Sequence, residues 1–105
     1  MANIDEELRL AREARAAIEK RPEEILEILR TAALVTRTRQ RTMMFLSQGA
    51  LNRARRKVGG ALENLIPALE VHRETPTRMK KAQVAVDVWI KEIKAKRTWS
   101  TTDDD

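Results

Sequence analysis

Two opposed faces of a helix can be traced through this sequence from about residue 25 to residue 58. When successive residues are placed about 100° apart around a helix axis, basic and amide residues gather on one side and apolar residues on the other. The polar residues lie within about 60° of Arg37; they are Arg30, Arg41, Gln48, Asn52 and Arg55. The apolar side holds Ile25, Leu29, Ala32, Thr36, Met43, Ala50, Ala54, Val58 and Leu65. This shared register predicts one long central helix from about residue 22 to residue 57 or later, running through Gly49.

Shorter helices are predicted on both sides of this central helix. A first helix runs to about Lys20. Glu6 and Glu7 suit its positive N-terminal dipole, and its apolar side is predicted to hold Leu8, Ala11, Ala14 or Arg15, and Ile18. Pro22 suits the first turn of the next helix because its fixed φ and missing N–H are tolerated there. Gly59-Gly60 predicts a break or bend, followed by a short helix over residues 60–72. The sequence has only three Gly and three Pro, too few turn residues for an all-β fold. The chain is therefore predicted to be all-α.

A C-terminal helix is predicted from Pro76 to about residue 97, with Thr75 as its cap. Its apolar stripe is predicted to consist of Met79, Ala82, Val86, Trp89, Ile90 and Ile93. Residues 98–105 end in three Asp and are predicted to form a disordered acidic tail. Residues 1–97 are then a single helical domain. The core of so small a domain is thin, and pairing with a second copy of the chain would thicken it.

Charge is distributed unevenly along the chain. No acidic residue occurs between Glu27 and Glu63, and that stretch holds eight of the 21 Lys and Arg residues. Arginine binds phosphate in a bidentate manner and keeps its charge at any working pH. This stretch therefore predicts a surface for a polyanion, most plainly a nucleic acid. The candidate binding residues are Arg30, Arg37, Arg41, Gln48, Asn52, Arg53, Arg55 and Arg56.

Several other classes of function are disfavoured by the residues present. The chain has no Cys, and its one histidine, His72, has no neighbouring cluster at metal-ligand spacing. No arrangement of nucleophile, base and acid is evident, so we expect no enzyme activity, cofactor, metal or small-molecule substrate. No apolar run reaches the roughly 18 residues of a membrane-spanning helix, and the polar N-terminus is unlike a secretory signal. A cytoplasmic protein is expected.

A long basic face suits binding along the phosphates of a duplex, where shape rather than base sequence is recognised. Single strands need exposed aromatic residues for stacking, and Phe45 alone lies near the basic face. Two alternatives stay open. The same arginines, with Met43, Met44 and Phe45, would serve a viral or phage adaptor or inhibitor that docks on an acidic protein. A DNA-binding architectural protein is the third possibility.

The segment Leu51-Asn52-Arg53-Ala54-Arg55 carries a resemblance to a known family. Together with the chain length and the all-helical plan, it resembles the B2-type suppressors of RNA silencing from insect nodaviruses. The resemblance implies that antiparallel helical hairpins from two chains form a homodimeric bundle, which lies along double-stranded RNA without sequence preference. By this resemblance, Arg53 and Arg55 contact phosphates, and the protein protects RNA from Dicer in the host cytoplasm.

Overall fold

The computed structural model is built from four helices over the residues it describes, and this part of the chain contains no strand. The helices are α1 (Ala2–Ile18), α2 (Pro22–Thr42), α3 (Ala50–Glu70) and α4 (Pro76–Asp104). The described backbone covers residues 2–20, 22–42, 49–71, 73 and 76–104, and the described side chains are those of residues 4–20, 25–40, 49–71, 73 and 76–96. The predicted all-α class is confirmed.

The central helix predicted to run without interruption from residue 22 to residue 57 is wrong. Helix α2 ends at Thr42, and Gly49 precedes α3 with an extended backbone (φ −81°, ψ 177°). Two shorter helices can bury their apolar faces against each other, which a single continuous helix cannot do. The common register arose because each helix separately presents an apolar face to the same core. Residues 43–48 lie outside the described residues.

The predicted break at Gly59-Gly60 is also wrong, because α3 is continuous from Ala50 to Glu70 and includes Pro67. Gly59 lies where α3 passes α2: a Cβ atom built at this position would be 3.4 Å from Thr36 Oγ1. The Thr36 hydroxyl is buried and donates to the carbonyl of Ala32 at 3.0 Å. The small residue thus permits a close approach of the two helices, and packing there compensates for the low helix propensity of glycine.

Gly60→Ala tests the separate roles of the two glycines. A Cβ atom at Gly60 meets nothing within 4 Å, so we expect the substitution to raise the free energy of unfolding by about 0.5–1 kcal/mol through helix propensity and a less flexible unfolded chain. Urea unfolding followed by circular dichroism measures the change. Gly59→Leu, placed against Thr36, is the contrasting variant and should destabilise the protein. A loss of stability in Gly60→Ala would contradict the exposed position of this residue.

Each helix packs against two others, α1 and α3 both contacting α2 and α4. Ion pairs join Arg30 to Glu70 and Arg37 to Glu63, so residue numbers rise along α2 as they fall along α3, and these helices are antiparallel. On the opposite side of the bundle, Arg15 of α1 donates to Asp87 of α4 at 2.8 Å. This hydrogen bond is the main cause of the raised pKa of the Arg15 guanidinium.

The apolar stripes predicted for the first and last helices lie in the core. In α1 the buried residues include Leu8, Ala11, Ala14 and Ile18, and in α4 they include Ala82, Val86, Trp89 and Ile93. Met79 and Ile90 of the predicted α4 stripe pack against this core while partly buried. The three- and four-residue spacing of apolar side chains therefore identified the inward face of both helices.

Two predicted helix starts are confirmed, since α2 begins at Pro22 and α4 at Pro76. Helix α4 continues to Asp104, past its predicted end near residue 97 and into the segment expected to be a disordered tail. No Gly or Pro follows Pro76 in the sequence, so no local breaker ends the helix earlier.

Candidate binding surface on helices α3 and α4

The residues of the predicted basic face lie in different environments in the structure. Arg30 and Arg37 project from α2 beside α3, where Glu70 and Glu63 neutralise their charge. These ion pairs are about half exposed, so their contribution to stability is small, but they remove two of the cations expected to contact a phosphate backbone. The reversal of the chain between α2 and α3 thus places acidic residues that follow the acid-free stretch in sequence next to the arginines of that stretch.

Two further predicted binding residues face the interior. Asn52 is 4% exposed and Arg55 is 5% exposed. The Arg55 guanidinium donates from Nε and Nη2 to the two carboxylate oxygens of Glu7, both at 2.8 Å. A bidentate pair of this kind fixes the arginine in place, so Arg55 is not oriented toward a ligand in solution.

The Glu7 carboxylate is the polar centre of the bundle, and each of the other helices contributes one group to it. Arg55 comes from α3, Trp89 of α4 donates Nε1–H at 2.8 Å, and Nη1 of Arg39 of α2 lies 3.4 Å away. Glu7 is 1% exposed. A carboxylate so fully removed from water requires this set of donors, because an unpaired buried charge is strongly unfavourable.

The remaining predicted site residues are spread unevenly. Arg53 and Arg56 lie on the exposed side of α3. The Arg41 and Gln48 side chains lie outside the described residues. The structure therefore brings together only Arg53 and Arg56 on one exposed surface, and the predicted continuous basic face is not formed by the described residues.

A different basic surface lies between α3 and α4. It is a groove of about 380 Å³ whose floor is formed by Ala61, Val84, Ala85 and Val88, and whose edges carry Lys57, Lys80 and Lys81. A second hollow of about 240 Å³ adjoins it and is lined by Ala61, Asn64, Arg78 and Lys81. We call the two together the α3–α4 groove. The residues that line it thus combine an apolar floor with four cations.

The groove is positively charged because its cations are not neutralised locally. None of the ion pairs and hydrogen bonds formed among the described side chains involves Lys57, Arg78, Lys80 or Lys81. No described residue lining the groove is acidic. By contrast, Arg15, Arg30 and Arg55 each pair with a carboxylate elsewhere on the bundle. The groove is therefore a local source of positive potential over an apolar floor.

The apolar part of the groove is accessible. Val84 is 55% exposed and Val88 is 40% exposed. Single exposed apolar residues are common on protein surfaces, but these two lie one helical turn apart and are flanked by lysines. A ligand with both an apolar surface and negative charge matches this combination.

The groove was not predicted from the sequence, because the stronger apolar stripe of the last helix indicates only its inward face. The available signal was the spacing of Val84 and Val88, which fall on the side of the helix opposite Val86. Lys80 and Lys81 precede the valines by one turn. Glu7 was likewise predicted to be a helix-start acid, although it falls beside Leu8 on the apolar side of α1.

Comparisons with protein-family models, with curated proteins and with solved structures find no match for this chain. Within the described residues, no group of three or more His, Asp or Glu side chains is placed to hold a metal ion, and His72 lies outside them. None of the described helices has an apolar stretch of the length needed to cross a bilayer.

Proposed function

We propose that this protein is a non-enzymatic interaction module that docks on an acidic partner protein through the α3–α4 groove. The observation that carries the proposal is the grouping of Lys57, Arg78, Lys80 and Lys81, which form no ion pair among the described residues, around exposed valines. Protein interfaces combine an apolar centre with a polar rim. Complementary charge at the rim guides the partner to the site and disfavours wrong partners.

Double-stranded RNA is the competing ligand. The sequence predicted that the protein binds double-stranded RNA without sequence preference and acts as a suppressor of host RNA silencing. That prediction was built on a single long helix, and α2 and α3 are separate helices. Phosphate contacts favour Arg, Lys and short polar side chains, and they give no reason for an apolar floor at Val84 and Val88. The acidic-protein proposal accounts for both the lysines and the valines.

Homodimerisation and a cytoplasmic location stay predictions. The described helices bury a shared core that includes Leu29, Val58 and Trp89 within one chain, so the bundle does not need a second copy to cover its apolar faces. Light scattering coupled to size-exclusion chromatography measures the state in solution. A dimer would be compatible with docking at the groove only if its interface left Val84 and Val88 accessible.

The proposed function is tested with three labelled probes: an acidic peptide rich in Glu and Leu, a duplex RNA and a duplex DNA. Fluorescence anisotropy at about 50 and about 200 mM salt separates charge-driven from apolar binding. We expect the peptide to bind best. The double variant Lys57→Glu/Lys81→Glu should weaken peptide binding by roughly 10-fold or more, since each attraction at the rim becomes a repulsion.

Lys94→Glu is the matched control, because Lys94 is an exposed lysine of the same helix that does not line the groove. It changes the net charge by half as much as the double variant and should leave peptide affinity nearly unchanged. Duplex RNA bound more tightly than the peptide, with binding lost in the double variant, would replace this proposal with the RNA-binding function. Equal losses in the double variant and two-charge control Lys91→Glu/Lys94→Glu would show that only net charge matters.

A further inference from the structure

We infer that the α3–α4 groove receives one amphipathic α-helix of the partner, about three turns long, with apolar residues along its centre and carboxylates on both sides. This inference rests on the proposed function and specifies the form of the acidic segment. It predicts that the partner helix lies along α3 and α4 and packs on the bundle as a fifth helix. Its support comes from the length of the groove, its floor and the position of its cations.

The length of the groove fits a short helix. Along α4 the lining residues extend from Arg78 to Val88, a rise of about 15 Å at about 1.5 Å per residue. A bound helix of about 10 residues covers that distance. An interface of this size is typical of helix-in-groove recognition, in which side chains at helical spacing act as anchors.

The floor of the groove favours close packing by a helix. Ala61 and Ala85 are small. Small residues let a helix axis approach to the roughly 8–10 Å at which side chains of neighbouring helices interlock. Val84 and Val88 are four residues apart on α4 and present adjacent methyl groups. Apolar residues of the partner at i, i+3 or i+4 match that spacing.

The cations that line the groove come from both of its helices. Lys57 belongs to α3, while Arg78, Lys80 and Lys81 belong to α4. A helix seated between them therefore needs acidic residues on both flanks of its apolar stripe. An extended segment has no comparable support, because strand addition requires an exposed sheet edge and the described residues contain no strand.

The inference is tested with three labelled peptides of about 12 residues, the first two of which have identical composition of Leu, Glu and Ala. The first places Leu at i, i+4 and i+7 with Glu on both flanks. The second alternates Leu and Glu so that no helical stripe forms. The third keeps the first arrangement but exchanges a central Ala for Pro, which interrupts the helix. Anisotropy gives the affinities, and circular dichroism gives the helix content of each peptide on binding.

We expect the helical peptide to bind at least about 10-fold more tightly than the other two and to gain helix content when bound. Methyl resonances of Val84 and Val88 should shift on titration. Val84→Gln/Val88→Gln should reduce the affinity by roughly 10-fold or more. Leu34→Gln is the control, because Leu34 is 63% exposed but lies on α2 away from the groove.

The outcomes separate this inference from the function it rests on. Equal binding of all three peptides, with sensitivity to Lys57→Glu/Lys81→Glu, would overturn the helical form and leave an acidic partner in place. Binding of the helical peptide that is unaffected by Val84→Gln/Val88→Gln would place it elsewhere and overturn the inference. Failure of every peptide to bind, at either salt concentration, would overturn the helix and the proposed function together.

Discussion

Glu7→Gln is expected to lower the free energy of unfolding by about 3–5 kcal/mol, the usual range when one partner of a buried ion pair is removed. The amide is nearly the same size as the carboxylate, so packing changes little. It cannot accept the bidentate bond of Arg55 with both atoms, and it leaves the Arg55 charge buried with no carboxylate. The hydrogen bond from Trp89 Nε1–H also loses its charged acceptor.

Urea unfolding followed by far-ultraviolet circular dichroism measures this effect, and thermal unfolding should shift by about 4–8 °C for each kcal/mol. Glu6→Gln is the matched control because Glu6 is the exposed neighbour of Glu7 on the same helix. It should change the unfolding free energy by less than about 0.5 kcal/mol. Equal small effects of the two substitutions would show that the Glu7 carboxylate is not the buried polar centre described above.

Arg55→Met should have a similarly large effect, about 3–5 kcal/mol, and should act on folding rather than on ligand binding. Arg55 was predicted from the sequence to contact a phosphate, but its side chain is 6% exposed and is held by Glu7. Methionine keeps most of the apolar length and removes the charge, which leaves Glu7 with Arg39 and Trp89 as its remaining partners. Arg56→Met, one residue later and exposed, should be nearly neutral.

A double-mutant cycle distinguishes a paired charge from two independent polar residues. Glu7→Leu/Arg55→Met removes both charges, so its destabilisation should be well below the sum of the destabilisations of Glu7→Leu and Arg55→Met alone. Replacing a buried ion pair by apolar residues is often close to neutral. Strict additivity in the cycle would contradict a direct interaction between these residues.

The part of the fold that could be predicted is the part set by nearby residues. The apolar spacing in α1 and α4 identified their buried faces, and Pro22 and Pro76 marked two helix starts. These features depend on propensities and periodicities that act over one or two helical turns. The same information placed Ile25, Leu29, Ala54 and Val58 in the core correctly, although it assigned them to one helix instead of two.

The reversal between α2 and α3 could not be predicted in this way. Gly49 disfavours a helix by only about 1 kcal/mol, whereas the decision to fold back depends on burying two whole helix faces against each other. The neutralisation of Arg30 and Arg37 has the same origin. Their acidic partners, Glu70 and Glu63, lie 40 and 26 positions away in the sequence. The acid-free stretch by itself therefore did not indicate that these two arginines are neutralised in the folded protein.

The candidate site was missed for a related reason. Lys57 is distant in sequence from Lys80 and Lys81, and only the packing of α3 on α4 brings them to the edges of one groove. Val84 and Val88 were visible in the sequence as apolar residues outside the main stripe. Their spacing indicates a second apolar patch, but whether such a patch is covered by another part of the chain depends on the tertiary arrangement.

The convergence of four helices on Glu7 also has a consequence for biosynthesis. Arg39 of α2 is the first partner of Glu7 to be synthesised. Trp89 is the last, because it lies 82 positions after Glu7. A growing polypeptide cannot assemble the complete hydrogen-bonded centre until Trp89 of α4 has been translated. The earlier helices therefore reach their final arrangement only after α4 has emerged from the ribosome, so the bundle cannot be completed helix by helix as the chain is made.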